Sequence, residues 1–221
     1  MTVVYFWTLP KRMIPFAFLH MALDRRKLRN FSGIAFAKLL GCGKGETFTP
    51  SDVDITRWGF VATIKEDALE SLDTSHIVSR WRSRSTSEFR AVLDPISSHG
   101  LWAKEEPFQI GANIAAVGQI AAITRARIAP RHTLRFFKSV PPVTQSLHAS
   151  KGLISAIGIG EAPIGLQGTF SLWESAADLR EFAYKGQSHV KAIADTSKYN
   201  WYSEELFARF SVRETRGSIT R

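Results

Sequence analysis

One cysteine, Cys42, stands in 221 residues, so an internal disulfide and any cysteine-based zinc site are excluded, and a reducing compartment suits the chain. Long apolar runs are missing too. The run from residue 13 to 23 is about half the length a membrane span needs, and reads either as a core helix or as a helix lying on a bilayer. No charged leader precedes an apolar stretch with a small-residue cleavage site, so a cytoplasmic protein is expected, with peripheral membrane contact as the alternative. Zinc-finger spacing, an RNP motif and a basic zipper are all absent although the net charge is +9. The basic residues are dispersed, with short clusters only at 25–27, 80–84 and 125–131. No nucleic-acid partner is therefore expected. A solvated cationic surface accounts for the charge, with anionic lipid or an acidic partner as the competing reading.

What is present suits a folded core: 44% of residues are hydrophobic and 22% charged, the ordinary soluble range. The order of elements is written twice. Residues 3–7 read as a strand, 11–29 as a helix, and 33–41 and 59–64 as strands. A helix over 66–85 and a strand over 89–93 complete the set. The second set runs as a strand over 120–128, a helix over 131–145 broken by Pro141 and Pro142, and strands over 152–160 and 167–173. A helix over 175–194 and a strand over 206–212 close it. Each half has the β-α-β-β-α-β order of a ferredoxin-like unit. The expected fold is α+β: two tandem ferredoxin-like units in one chain whose sheets pair as in a dimeric α+β barrel. The halves are placed at residues 1–100 and 119–214, with a linker over 101–118 and a tail over 215–221.

Three segments carry a family resemblance. The first is Gly33-Ile34-Ala35-Phe36-Ala37-Lys38-Leu39-Leu40-Gly41 running into Gly43-Lys44-Gly45-Glu46-Thr47-Phe48-Thr49-Pro50. The second is Gly158-Ile159-Gly160-Glu161-Ala162-Pro163 with Gln167, Thr169-Phe170-Ser171 and Trp173. The third is Gly186-Gln187-Ser188-His189 leading to Trp201-Tyr202-Ser203-Glu204-Glu205-Leu206-Phe207-Ala208-Arg209-Phe210. Together they resemble the spheroidene monooxygenase family, from about Phe6 to Val212. The resemblance implies oxygenation of a carotenoid or another hydrophobic small molecule, haem b as the oxygen-activating cofactor, and an external electron donor. A homodimer is compatible with it. By fold analogy, haem enzymes such as chlorite dismutases and aldoxime dehydratases place a proximal histidine on a helix of the second unit.

Of the six histidines, His189 is the expected iron ligand: it lies in a family motif, on the second helix of the second half, beside Gly186 and Ser188. His76 is the runner-up, because Ser75-His76-Ile77-Val78 echoes Ser188-His189-Val190-Lys191. His20 reads as a satisfied core histidine. Strand alternation puts Phe207, Arg209 and Ser211 opposite Leu206, Ala208, Phe210 and Val212. It puts Thr169, Ser171 and Trp173 opposite Phe170 and Leu172, and Arg125 opposite Ala122 and Thr124. Lys38 shares a face with Ile34 and Phe36. A barrel interior with aromatics and cations would hold a flat anionic tetrapyrrole, so Lys38, Trp173, Ser171 and Phe207 are the expected cofactor contacts. Arg209 and Arg125 are the expected catalytic cations, pointing into the cavity that His189 closes. The alternative for each of these is an ordinary exposed sheet face with surface arginines.

Three features invite chemistry less strongly. Residues 41–45, Gly-Cys-Gly-Lys-Gly, resemble a phosphate-cradling loop in composition but lack the spacing, and read as a flexible hairpin. Cys42 as a haem thiolate is not asked for by the family pattern. Glu204-Glu205 reads as a polar pair at a strand start, its two side chains pointing opposite ways. The functions left open beside haem monooxygenation are haem-dependent dehydration of a nitrogen–oxygen compound, cofactor-free monooxygenation, and non-enzymatic haem or small-molecule binding.

Overall fold

The computed structural model of the chain describes residues 1–111, 116–128, 130–161, 168–185 and 202–219. The first half consists of β1 (Thr2–Thr8), α1 (Ile14–Arg29), β2 (Ile34–Gly43), β3 (Val53–Ile64), α2 (Leu69–Asp73), α3 (His76–Arg82) and β4 (Ser87–Gly100). The second consists of β5 (Ile120–Ile128), α4 (Thr133–His148), β6 (Leu153–Gly160), β7 (Gly168–Trp173), α5 (Ala176–Lys185) and β8 (Tyr202–Arg216). The strands close into one barrel in the order β1-β3-β2-β6-β7-β5-β8-β4. Each half contributes its strands in the same relative order, fourth-first-third-second, and all pairs are antiparallel. The chain thus adopts the expected α+β barrel of two ferredoxin-like units.

Closure buries both faces of the sheet, which is why nearly every strand is apolar on both sides. Inside lie Val4, Phe6, Phe36, Leu40, Val61, Phe89, Ile123, Ile157, Phe170, Leu206 and Phe210 among others. The outer face of the first half is sealed under α1–α3 by Tyr5, Trp7, Trp58, Phe60 and Trp81, each 1% exposed or less. Tyr5 Oη donates to Asp73 (2.6 Å) and accepts from Arg90 Nε (3.2 Å), and the indole N–H groups of Trp7, Trp58 and Trp81 donate to Glu88, the Ile55 carbonyl and Asp24, so the polar groups of these rings are satisfied.

From β1 through β2 the first half matches the second at a shift of 119 positions. Ile14–Arg29 and Thr133–His148 are both 16-residue helices. Gly33 and Gly152 both have positive φ, and the same sheet irregularity falls between Ile34 and Phe36 and between Leu153 and Ser155.

Four local expectations need correction. Pro141 and Pro142 do not break α4; both are exposed, so water can serve the carbonyls they leave without a donor. The helical stretch expected over 66–85 is two helices, because Ser75 Oγ accepts from Val78 N and caps a new start. Residues 101–111 are not a plain joint: Trp102 and Phe108 insert into the barrel core. β8 runs on through Thr215 and Arg216, which pair with Ala91 and Arg90, so the strand includes residues assigned to the tail. The helix expected over 175–194 is α5 as far as Lys185, and its remainder lies outside the described residues.

Candidate functional site

Among the described residues, the barrel interior is packed with apolar side chains. Lys38 and Arg125 do point into it, as alternation predicts, but they meet carboxylates there rather than a cavity. Arg125, 3% exposed, donates from Nη2 to Glu161 (2.9 Å) and from Nη1 to Glu204. Lys38 Nζ lies 3.4 Å from the other Glu161 oxygen, and Trp102 Nε1 donates to Glu161 at 2.8 Å. The Arg125 guanidinium also stacks over the Trp102 ring at 5.6 Å. Glu204 has a second task. Ala103 and Lys104 both have positive φ, costly for residues with a Cβ, and their N–H groups donate to the Glu204 carboxylate at 3.0 and 2.7 Å. Burial alone would raise the pKa of Glu161. The Trp102 hydrogen bond and the Lys38 and Arg125 charges outweigh it and hold that carboxyl below its ordinary range. Burial pushes Glu204 upward as well, and the Lys104 and Ala103 amides with Arg125 pull it down further than that. The space left beside this cluster is about 10 Å³, too small for any cofactor. Arg125 and Lys38 are therefore components of a neutral buried network.

Arg209 corrects the expected facing. Leu206, Ala208 and Phe210 fill the barrel, and Arg209 lies on the outer side of β8. Its Nη2 donates to Tyr184 Oη on α5 at 3.1 Å, with the guanidinium over the Tyr184 ring at 5.5 Å. Trp173, Ser171 and Phe207 lie on that same outer face. Trp173 is fully buried, donates to Ser171 Oγ (2.9 Å) and stacks on Phe182, whereas Phe207 is 42% exposed. The sheet thus separates the two cations expected in one cavity: Arg125 inside, Arg209 outside with the other proposed contacts.

The outer face of the second half differs from its counterpart in one respect that alternation could not reveal. Registers place Leu39, Phe60, Tyr5 and Arg90 in one row across the first sheet, and Gly158, Thr169, Thr124 and Phe207 in the matching row of the second. The neighbouring row is Ala37, Ala62, Val3 and Val92 against Ala156, Ser171, Ala122 and Arg209. Trp7, one step further, is matched by Ala126. Where the first half fills the layer between sheet and helices with a leucine and three aromatic rings, the second has glycine, two threonines and an alanine. Thr124 and Thr169 spend their hydroxyls on each other (2.6 Å). The packed part of this layer, around Ile120, Leu147, Trp173 and Leu179, stops short of them. Thr124, Ala126, Thr169 and Arg209 are only half-buried. The result is a flat small-residue floor with Arg209, Tyr184 and Phe207 along one edge.

The remaining candidates resolve simply. His76 is exposed at the start of α3, beside a layer already filled by aromatics. His20 pairs with buried Asp24 (3.0 Å), which also accepts from Trp81 Nε1 and Arg80, and so is the satisfied histidine expected. Cys42 is buried in the barrel core and burial pushes its thiol pKa far up, so no thiolate is on offer. The glycine-bearing loop after it is ordered by its own anion: Asp52 accepts from the N–H groups of Gly45 (3.0 Å), Glu46 and Phe48 (both 3.1 Å). That is a cradle already occupied by a carboxylate. A solvent-open groove of about 590 Å³ lies by Met1, Ala35, Thr63 and Ile110, away from all of these groups. His189 lies outside the described residues, in the segment that follows α5.

No protein-family model matches the chain, but curated relatives do. It is 34% identical over 209 residues to the spheroidene monooxygenase of Rhodobacter capsulatus, spanning 93% of this chain and 86% of that one. It is 32% identical over 182 residues to the spheroidene monooxygenase of Rubrivivax gelatinosus, spanning 80% and 68%. Among solved structures it is similar in fold to an aldoxime dehydratase, with a TM-score of 0.57 at 11% identity over 96% of this chain and 80% of that one. A third of positions shared along nine-tenths of the sequence goes well beyond a shared barrel. The chain belongs to the spheroidene monooxygenase family.

Proposed function

We propose that the protein is a haem-dependent monooxygenase of a carotenoid-like hydrophobic substrate, with the haem seated on the small-residue face of the second half. The observation that carries this is the exchange of Leu39, Phe60 and Tyr5 for Gly158, Thr169 and Thr124 at matching positions. A layer emptied of its rings at one end of one half, and not the other, suits a flat ligand. The donor set fits as well. Half-buried Ala126 leaves room for a planar ring to approach the sheet, and exposed Phe207 offers an apolar wall. Arg209, supported by Tyr184, is a fork of donors suited to a propionate. His189, nominated by the family motif, would supply the axial nitrogen. Bound haem would supply activation of dioxygen.

The chain's own residues then have separate tasks. The aromatic edge binds the hydrophobic substrate and excludes water, and Arg209 orients the cofactor's anionic side. Arg125 and Lys38, neutralised inside the barrel, are assigned no part in the chemistry. Placing one oxygen atom of dioxygen in the substrate and reducing the other to water takes two electrons and two protons, so an external electron donor belongs to the proposal. Purified protein supplied with haem is expected to show a Soret band that shifts with imidazole or carbon monoxide. It should oxygenate a carotenoid only with dioxygen and a reductant. A colourless preparation that oxygenates equally well would overturn the haem reading in favour of cofactor-free oxygenation. His189→Ala should strip most of the haem while His76→Ala keeps it, read from the Soret absorbance of gel-filtered protein.

A further inference from the structure

α1 presents apolar side chains to both sides. Ala17 and Leu28 are buried against the sheet. On the opposite side Phe18, Leu19 and Leu23 are 44%, 55% and 49% exposed, and Pro15 and Ala22 are exposed with them. These five positions fall along one stripe of a helix. Phe18 is held edge-on against Trp58 (5.2 Å), and the nearby Ile55 is 46% exposed. The stripe is bracketed by cations. Lys11 and Arg12 precede it, and Arg25, Arg26, Lys27 and Arg29 follow it, all exposed. The one acidic residue of the helix, Asp24, is fully buried and already engaged by His20, Trp81 and Arg80.

The other half supplies an internal control. At the shift of 119, α4 carries Lys138, Pro141 and Pro142 where α1 has Leu19, Ala22 and Leu23, and Gln145 and Ser146 where it has Arg26 and Lys27. α4 keeps Leu134 and Phe137 at the positions of Pro15 and Phe18, so what sets α1 apart is Leu19 in place of a lysine and the run of basic residues after the stripe, where α4 has Thr144, Gln145 and Ser146. We infer that the solvent face of α1 docks on an anionic lipid surface, its apolar side chains entering the headgroup boundary and its arginines and lysines meeting lipid phosphates. Among the described residues no helix is long and apolar enough to cross a membrane, and this contact lies along the bilayer surface. A second copy of the chain is the less suitable occupant, because two such faces in contact would oppose like charges.

The test needs neither haem nor substrate, so it fails independently of the function proposed above. The full chain is sedimented with vesicles of phosphatidylcholine alone or mixed with phosphatidylglycerol, beside Leu19→Ser/Leu23→Ser and Arg25→Gln/Arg26→Gln. All four side chains are exposed, so circular dichroism and melting should match wild type. The expected result is binding to the mixed vesicles that weakens as salt rises and falls at least about tenfold in each variant. Equal binding of wild type and both variants would overturn the inference. So would a wild-type dimer in analytical ultracentrifugation that Leu19→Ser/Leu23→Ser converts to monomer without vesicle binding.

Discussion

A chain carrying Thr124→Tyr, Thr169→Phe and Gly158→Leu should fold, melt at or above the wild-type temperature, and take up no haem. The three changes copy into the second half the residues that stand at the matching positions of the first, Tyr5, Phe60 and Leu39. All three are buried in the first half with exposures of 0%, 0% and 7%. If the second half's layer is open because a planar cofactor occupies it, filling it with rings removes the seat. Large apolar side chains that become fully buried contribute roughly 1.5–3 kcal/mol each, so stability should not suffer. Titration with haem followed at the Soret band, beside a thermal melt, reads both halves of the expectation. The milder Thr169→Phe alone should already weaken uptake. A triple variant that folds and still binds haem like wild type would place the cofactor elsewhere.

Arg125→Leu is expected to destabilise the barrel by about 3 kcal/mol at neutral pH, because it leaves Glu161 and Glu204 without the cation that both of them share. In a chain of this size that is a fall in melting temperature of roughly 6–12 °C. Adding Glu161→Gln and Glu204→Gln should recover part of the loss, since neutral amides need no counter-charge. The pH dependence follows from sign. Both carboxyls have folded pKa values below the ordinary range. Their stabilisation is therefore fully present above about pH 4.3, the unfolded glutamate value, and is lost as pH falls through the lower folded values. In Arg125→Leu the same groups gain from protonation, so the stability gap to wild type should narrow on acidification. Urea unfolding of both proteins at pH 7 and pH 4 measures it, and a gap that stays constant would mean Arg125 contributes by packing alone.

The repeat, the strand order and the barrel were legible in the sequence because each half writes its hydrophobic runs in the same order with turn residues between them. Facing was legible only in part. Alternation correctly separated Leu206, Ala208 and Phe210 from Phe207 and Arg209. It could not say which side was the inside, because a closed barrel under helices buries an apolar face in both directions. Arg209 was placed inward on that ambiguity, while Lys38 and Arg125, judged by the same rule, do point inward. The network they join was out of reach. Lys38, Arg125, Glu161 and Glu204 come from β2, β5, the end of β6 and β8, and only closure of the barrel brings them together. Trp102 was hidden for a different reason: glycines and a proline made its segment resemble a surface linker, and its ring is an anchor. The small-residue floor was readable in principle. Setting the two halves in register at the shared glycine, Gly33 with Gly152, puts Leu39 over Gly158.

The two joins between the halves are unequal. β4 and β8 pair along their length from Arg90–Arg216 to Gly100–Leu206, with register shifts after Val92 and after Pro95, whereas β2 and β6 meet, among the described residues, only at Gly41–Gly160 and Cys42–Ile159. Backbone pairing therefore makes one join a hinge and leaves the other to side chains. Glu161, directly after Gly160, crosses that gap to Lys38 on β2. The loop ordered by Asp52 reaches over it as well, where Thr144 Oγ1 donates to the Thr47 carbonyl at 3.2 Å. Such a cylinder parts along a single line, like a cuff held by a clasp. The same carboxylate that neutralises Arg125 is half of that clasp. Acid should thus loosen Gly41–Cys42 and Ile159–Gly160, seen as faster amide exchange there, before it melts either half.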